Sequence, residues 1–159
     1  FPGVTGICTL LRPESRGSVR IKSADPGQAP AIDPNYLATA RDRETLVAGV
    51  KAMRRIFQAP AMARYIAEEI EPGAACDSDD ELLDFIRRRG STTYHPVSTC
   101  RMGQDALAVT DERLRVRGLS GLRVVDASIM PAVVSGNTNA ATIMIGEKGA
   151  DMVLADASA

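Results

Sequence analysis

The chain has 159 residues, 45% of them hydrophobic and 25% charged, which suits one ordinary domain with enough apolar material for a core. Its 19 basic residues are nearly balanced by 20 acidic ones, dispersed along the chain, so no strong field toward nucleic acid or anionic lipid is expected. Tryptophan is absent and the apolar stretches fall short of a bilayer span, which argues against base-stacking platforms and a transmembrane helix.

The three cysteines, Cys8, Cys76 and Cys100, show no metal-ligand spacing, and His95 is the single histidine. A structural zinc site is therefore not expected, and a reducing, cytoplasmic setting is the default. The chain opens on Phe1-Pro2-Gly3 without a basic n-region or signal pattern. It reads as a piece excised from a longer polypeptide, whose own targeting would lie elsewhere.

In chain order, Thr5–Leu11 and Ser18–Lys22 alternate weakly and predict two strands. The turn Arg12-Pro13-Glu14-Ser15-Arg16-Gly17 would join them as a hairpin. Pro26, Pro30 and Pro34 make Ala24–Leu37 an expected extended loop, because proline lacks the ladder donor. Leu46, Val47, Val50, Met53, Ile56 and Phe57 recur at helical spacing and predict a helix from about Arg41 to Gln58, stopped by Pro60. A short helical piece is expected over Ala61–Ala67. Ser78-Asp79-Asp80-Glu81 is a capping box for a helix that carries Leu82, Leu83, Phe85 and Ile86 and stops at Gly90. Its basic run, Arg87 to Arg89, reads as a solvated helix end where cations complement the dipole.

Beyond Ser91, Thr92-Thr93-Tyr94 is a short β-prone run leading to His95, and Leu122–Val125 predicts another strand. Ser135-Gly136-Asn137-Thr138-Asn139 is a polar turn with candidate caps for a final helix from about Ala140 to Leu154. That helix is so apolar that it calls for burial on more than one side, which points to a missing partner domain.

A lone histidine is more often structural than catalytic. His95, however, opens a loop of small, polar and turn-prone residues, the setting in which scaffolds place reactive groups. A thiol nucleophile at Cys100 activated by His95 is one local alternative. Asp126 to Asn139 reads, on physics alone, as a strand, a loop and a capped helix.

Two stretches taken together resemble the C-terminal signature of the glucose-methanol-choline (GMC) oxidoreductase family. One is Tyr94-His95-Pro96-Val97-Ser98-Thr99-Cys100-Arg101-Met102-Gly103. The other runs from Leu122 through Asp126-Ala127-Ser128 and Pro131 to Ser135-Gly136-Asn137-Thr138-Asn139-Ala140, and on to Lys148. Pro13–Gly17 and Ile32–Leu37 also fit, so the resemblance covers nearly the whole chain. Its style is closest to choline dehydrogenase and related bacterial alcohol dehydrogenases of the family. The chain departs from the family pattern at Ser98, where glycine is usual; the turn or pocket wall would change if that position takes positive φ.

The resemblance implies an FAD-dependent oxidoreductase of primary alcohols in the full-length parent, forming the aldehyde by hydride transfer to flavin N5. His95 would take the hydroxyl proton, since an alkoxide expels hydride far better than an alcohol does. Asn137 would hold the substrate oxygen through its amide. Asp126 and Ala127 match the segment approaching the FAD phosphate and ribityl region, and Thr138 and Asn139 the turn beside the flavin pyrimidine edge. No Gly-x-Gly-x-x-Gly occurs in the chain, so FAD would be bound mainly by an N-terminal domain absent from it.

The resulting expectation is an α+β fold, a small antiparallel sheet with helices packed on one face. Residues 1–121 would be the substrate-domain portion carrying the histidine loop. Residues 122–159 would be the segment that normally returns to the FAD-binding domain. The chain alone is expected to lack turnover and could self-associate or swap that segment. A non-catalytic ligand-binding or interaction module reusing the fold is the alternative.

Overall fold

The helical periodicities translate directly into helices. The computed structural model describes residues 2–158; Phe1 and Ala159 lie outside the described residues, and with Phe1 the reading of the chain's start. Among the described residues there are four α-helices and one two-stranded antiparallel sheet: β1 (Ser18–Arg20), β2 (Ala31–Asp33), α1 (Ala40–Gln58), α2 (Pro60–Ala63), α3 (Asp79–Arg89) and α4 (Asn139–Ala157). No helix among the described residues is long and apolar enough to cross a membrane. The residues group into two compact units. One comprises the segment through Leu10, Glu14–Arg16 and Pro34–Thr93; the other comprises Leu11–Pro13, Gly17–Asp33 and the chain from Tyr94 on.

In the first unit α1 and α3 pack on one another, with Val47 and Leu82 buried. The Thr39 hydroxyl caps α1 by accepting from the Asp42 amide at 3.2 Å. The capping box of α3 forms as the sequence predicts. The Ser78 oxygen accepts from the Glu81 amide at 3.3 Å, and the Glu81 carboxylate accepts from the Ser78 amide at 2.9 Å. Gly90 ends α3, though not by a left-handed turn: its φ is −61°, and a Cβ there would meet the Ile86 carbonyl oxygen at 2.5 Å. Close approach, rather than positive φ, is what requires glycine.

The loop after α2 is ordered from α1 by Arg54. Its Nε donates to Glu69 at 3.0 Å, and its Nη2 donates to the carbonyls of Gly73 and Cys76 at 3.1 and 2.7 Å. A planar fork with five donors satisfies loop carbonyls that no helix can reach. The short helix is α2, with Pro60 in its first turn, so it begins and ends earlier than the expected Ala61–Ala67.

The predicted hairpin is not formed. Ser18–Arg20 pairs instead with Ala31–Asp33, in the register Val19 opposite Ile32. Pro30 and Pro34 flank those three residues and so cost the ladder no donor, which is why a strand forms inside the expected loop. Thr5–Leu11 is not a strand. Gly6 lies against α1, so close that a Cβ there would stand 2.6 Å from Met53 Cγ, and Cys8 faces Gly49. The segment runs against α1 at Gly6 and Cys8 rather than beside a strand, and Ile7 stays exposed.

Nor do helices cover the sheet. Both strands are exposed apart from half-buried Ser18. The helix of the same unit, α4, packs on a 3₁₀ turn at Ala127–Ile129. The core of this unit is Leu114, Ile129, Met130 and Ile145, with Val97, Met102, Val124, Ala141 and Met152 around it. Leu122–Val125 is extended but carries only an isolated bridge, Arg115 to Arg123. The facing segment is broken by Leu114, buried in the left-handed conformation at φ 64°. Thr92–Tyr94 forms no strand either, for Tyr94 turns left-handed at φ 57°.

Candidate active site around His95

The loop from Val97 to Met102 is held by the strip from Ser128 to Met130. The Cys100 amide donates to the Ser128 carbonyl at 3.0 Å, and the Met102 amide to that of Ile129 at 2.8 Å. The Ser98 hydroxyl donates to the Met130 carbonyl at 2.8 Å. Ser98 itself is left-handed, at φ 73°. The condition attached to its departure from glycine is therefore met, and the hydroxyl bond offsets the steric cost of a Cβ there. Because Ile129 and Met130 are anchored in the core, this ladder ties the histidine loop to the most buried part of the unit.

From that base His95 reaches the turn before α4, 42 residues away in sequence. Its Nε2 lies 3.2 Å from Asn137 Oδ1, and its Nδ1 lies 3.2 Å from Thr138 Oγ1. His95 is half-buried, Asn137 exposed and Thr138 buried, so the ring has an open side and a closed side. Among the described residues, Cys100 makes no hydrogen bond with His95, whose two nitrogens are both engaged elsewhere. That geometry gives no support to a histidine-activated thiol.

Thr138 stands at the N-cap position of α4, in helical conformation, yet makes no side-chain cap. Its carbonyl accepts from both the amide and the hydroxyl of Thr142, at 2.9 and 2.8 Å. Asn139 is exposed at the first turn of the helix, where the partial positive charge of the dipole is greatest. Asp126 and Ala127 sit at the 3₁₀ turn that packs on α4. The exposed Asp126 carboxylate accepts from the Ser128 amide at 2.7 Å. Of the six expected site residues, the structure thus joins His95, Asn137 and Thr138 by side-chain hydrogen bonds. Asp126, Ala127 and Asn139 are set on neighbouring turns of the same unit, without bonds to the ring.

Sequence reasoning missed two features. One is that the Arg101 guanidinium forks onto Asp105, with one bond of 2.8 Å, and that hydrogen bond holds the Asp105 carboxyl far below the usual carboxylate range. The Arg–x₃–Asp spacing was the available signal. The contact of Thr138 with His95 had none, since a threonine before a helix ordinarily signals a cap.

Comparison with known proteins bears on the whole arrangement. The family model described as GMC oxidoreductase matches residues 13–146. The chain is 55% identical over 148 residues to a Pseudomonas putida protein named alcohol dehydrogenase (acceptor), covering 93% of this chain and 27% of that protein. It is 50% identical over 143 residues to an oxygen-dependent choline dehydrogenase of Escherichia coli, covering 90% and 25% respectively. Among solved structures, pyridoxine 4-oxidase from Mesorbium loti matches with a TM-score of 0.83 and 44% identity, over 89% of this chain and 28% of that one. The chain thus spans about a quarter of the length of these relatives. A match running through the histidine loop, the 3₁₀ turn and the start of α4 shows that this chain belongs to the GMC oxidoreductase family, in its C-terminal domain.

Proposed function

We propose that this chain is the substrate-side, C-terminal part of an FAD-dependent oxidoreductase that converts a small primary alcohol to its aldehyde. The observation that carries the reading is the pairing of His95 with Asn137 across 42 residues, in a chain of this family. A neutral imidazole, with a reference pKa of about 6.5, can accept a hydroxyl proton near physiological pH. The Asn137 amide is no base but can hold the same oxygen and orient the carbon that carries it. FAD, when bound, supplies the hydride acceptor.

The residues present suit one edge of that group. The first turn of α4 has no side-chain cap, and a helix N-terminus favours negative charge developing beside it. Asn139 offers an exposed amide, and the exposed Asp126 carboxylate beside half-buried Ala127 suits ribityl hydroxyls rather than phosphate. The main binding of the cofactor falls to an N-terminal domain, consistent with relatives about four times as long. Residues 122–159 are the part that returns to that domain, and residues 1–121 the substrate-domain portion. In support, α4 exposes Ile143, Met144, Val153 and Leu154, a face that a missing domain would cover. Taken alone, the chain lacks turnover and leaves that face free to meet a second copy. A cytoplasmic setting goes with the three free cysteines.

Choline is the first alcohol to try, as the name of one group of relatives suggests. The test is the visible spectrum of the full-length protein, recorded anaerobically before and after choline and a panel of primary alcohols. Flavin bands that bleach with one alcohol, and fail to bleach in His95→Ala, are expected. A colourless protein, unresponsive after FAD is supplied, would overturn the reading and favour a non-catalytic binding module.

A further inference from the structure

We infer that Asp156, in the last turn of α4, is a positioning residue that acts through the helix to hold Asn137 against His95. The inference rests on the reading of His95 and Asn137 as the pair that handles the alcohol, and every residue involved belongs to the same compact unit.

Three observations carry it. First, Asp156 stands where a carboxylate is unfavourable by itself. The last turn of a helix carries the negative end of its dipole, and α4 has no basic residue there to offset it. The compensating cations come from outside the helix: Arg113 and Arg123 both donate to the Asp156 carboxylate. They are themselves held, for Arg123 Nε donates to the Arg113 carbonyl at 3.2 Å and the Val124 amide to that of Leu114 at 3.1 Å. A local rule is broken at Asp156, and a tertiary contact takes its place.

Second, Asp156 continues the face of α4 that turns to the rest of the unit. Thr138, Ala141, Ile145, Gly149 and Met152 form the packed stripe, and Asp156 follows at the same helical spacing. Polar contacts fix that stripe at both ends, Thr138 to His95 and Asp156 to the arginines. Between them the contacts are apolar, and non-directional burial fixes a helix less sharply than bonds between named atoms. The helix backbone comes close to its neighbour at Gly149, where a Cβ would stand 2.3 Å from Val125 Cγ1. At about 1.5 Å per residue, about 10 Å of helix separates Gly149 from Asp156 and about 16 Å separates it from Thr138. With Gly149 as the pivot, a swing of about 0.5 Å at Asp156 carries Thr138 by about 0.8 Å.

Third, the contact closes a ring. One route from Asp156 follows α4 back to Thr138 and Asn137. The other passes through Arg123 and along the chain to Ser128 and Ile129, whose carbonyls hold the histidine loop through the amides of Cys100 and Met102, at 3.0 and 2.8 Å. The routes meet where His95 Nε2 lies 3.2 Å from Asn137 Oδ1. Two residues that must share one hydroxyl oxygen thus stand on separate segments, and Asp156 ties those segments together at their far end.

The experiment is steady-state kinetics of the full-length holoenzyme with the alcohol that bleaches its flavin. Asp156→Asn keeps the shape and removes the charge that both arginines meet. It should lower kcat by about 10-fold, on a scale where 1 Å of misplacement costs about 100-fold. Asp156→Glu, which keeps the charge, should recover most of that loss. Because Asp156 acts through Asn137, the loss should vanish in an Asn137→Ala background, read as a double-mutant cycle. A purely structural ion pair would give the same loss in both backgrounds. Partly exposed ion pairs are screened by salt, so wild-type kcat should also fall with rising ionic strength more steeply than that of Asn137→Ala. That comparison holds even where Asp156→Asn does not fold. An unchanged kcat in Asp156→Asn, an equal loss in the Asn137→Ala background, or equal salt dependence of wild type and Asn137→Ala refutes the inference. If instead His95→Ala still turns over alcohol at the wild-type rate, it is the reading of His95 as base that fails.

Discussion

Asp42 is 2% exposed, and the Asp42→Ala variant should be among the most damaging single changes in the chain. Its carboxylate accepts from the amides of Glu14 and Ser15, at 2.9 and 2.8 Å, and from the Ser15 hydroxyl, which in turn accepts from the Ala38 amide at 3.0 Å. The group thereby clips a distant segment to the first turn of α1. Each hydrogen bond to a charged partner is worth about 1.5–3 kcal/mol, but the three share one carboxylate and are not additive. A loss of about 3–5 kcal/mol is therefore expected for Asp42→Ala. Burial alone would raise this pKa. The Glu14 amide, the Ser15 hydroxyl and amide, and the Thr39 hydroxyl together outweigh it and hold the carboxyl below its ordinary value. For a depressed folded pKa, the stabilisation is full above the unfolded value of about 3.9 and is lost as pH falls through the lower folded value. Urea unfolding followed by far-ultraviolet circular dichroism measures both effects, and the chain has no tryptophan to serve as an alternative probe. The gap between wild type and Asp42→Asn should shrink below about pH 4. A cost under about 1 kcal/mol for Asp42→Ala near neutral pH, or a gap that does not change on acidification, would refute the reasoning.

Outcomes at four further sites can be read by the same unfolding assay. Gly146 has nothing within 4 Å of an added Cβ, so Gly146→Ala should stabilise α4 by about 0.5–1 kcal/mol. A Cβ at Gly149 collides with Val125, so Gly149→Ala should destabilise despite the same helical gain, since overpacking costs about 1–3 kcal/mol; equal effects at the two sites would refute this packing. Ser98→Gly trades a bond of 2.8 Å for relief of left-handed strain and should be near neutral, whereas Ser98→Ala keeps the strain and should lose about 1 kcal/mol; the reverse order would show that the hydroxyl is idle. Ser78→Ala removes one arm of the capping box and should cost α3 about 1 kcal/mol, with no change if the box contributes nothing.

The elements that sequence located well are those whose information is local. The periodic apolar residues of α1, the Ser78 capping box and the stop at Gly90 each act within a turn or two of helix, so their physics is complete in a short window. The strands fared differently because pairing depends on a partner chosen from elsewhere. Ser18–Arg20 could pair with the segment before it or after it, and nothing local says that Gly6 lets the earlier one lie on Met53 and Phe57 instead. A glycine after a helical run marks the stop at Gly90, but its near-contact with the Ile86 carbonyl is invisible in the sequence.

The candidate site shows the same division. Resemblance to the family, borne out by comparison with known proteins, is what marks His95, Asn137 and Thr138; the residues read by themselves do not mark the last two as a site. Which nitrogen of His95 meets which side chain, and that the Thr138 hydroxyl forgoes the helix it precedes, was decided only by tertiary structure. Sequence determines which donors and acceptors a chain owns. Their pairing across 42 residues depends on the ladder from Cys100 to Ser128 and from Met102 to Ile129, and on the buried core to which that ladder is fixed. Such a contact forms only once distant hydrophobic residues have been packed together, and no local window of sequence contains that information.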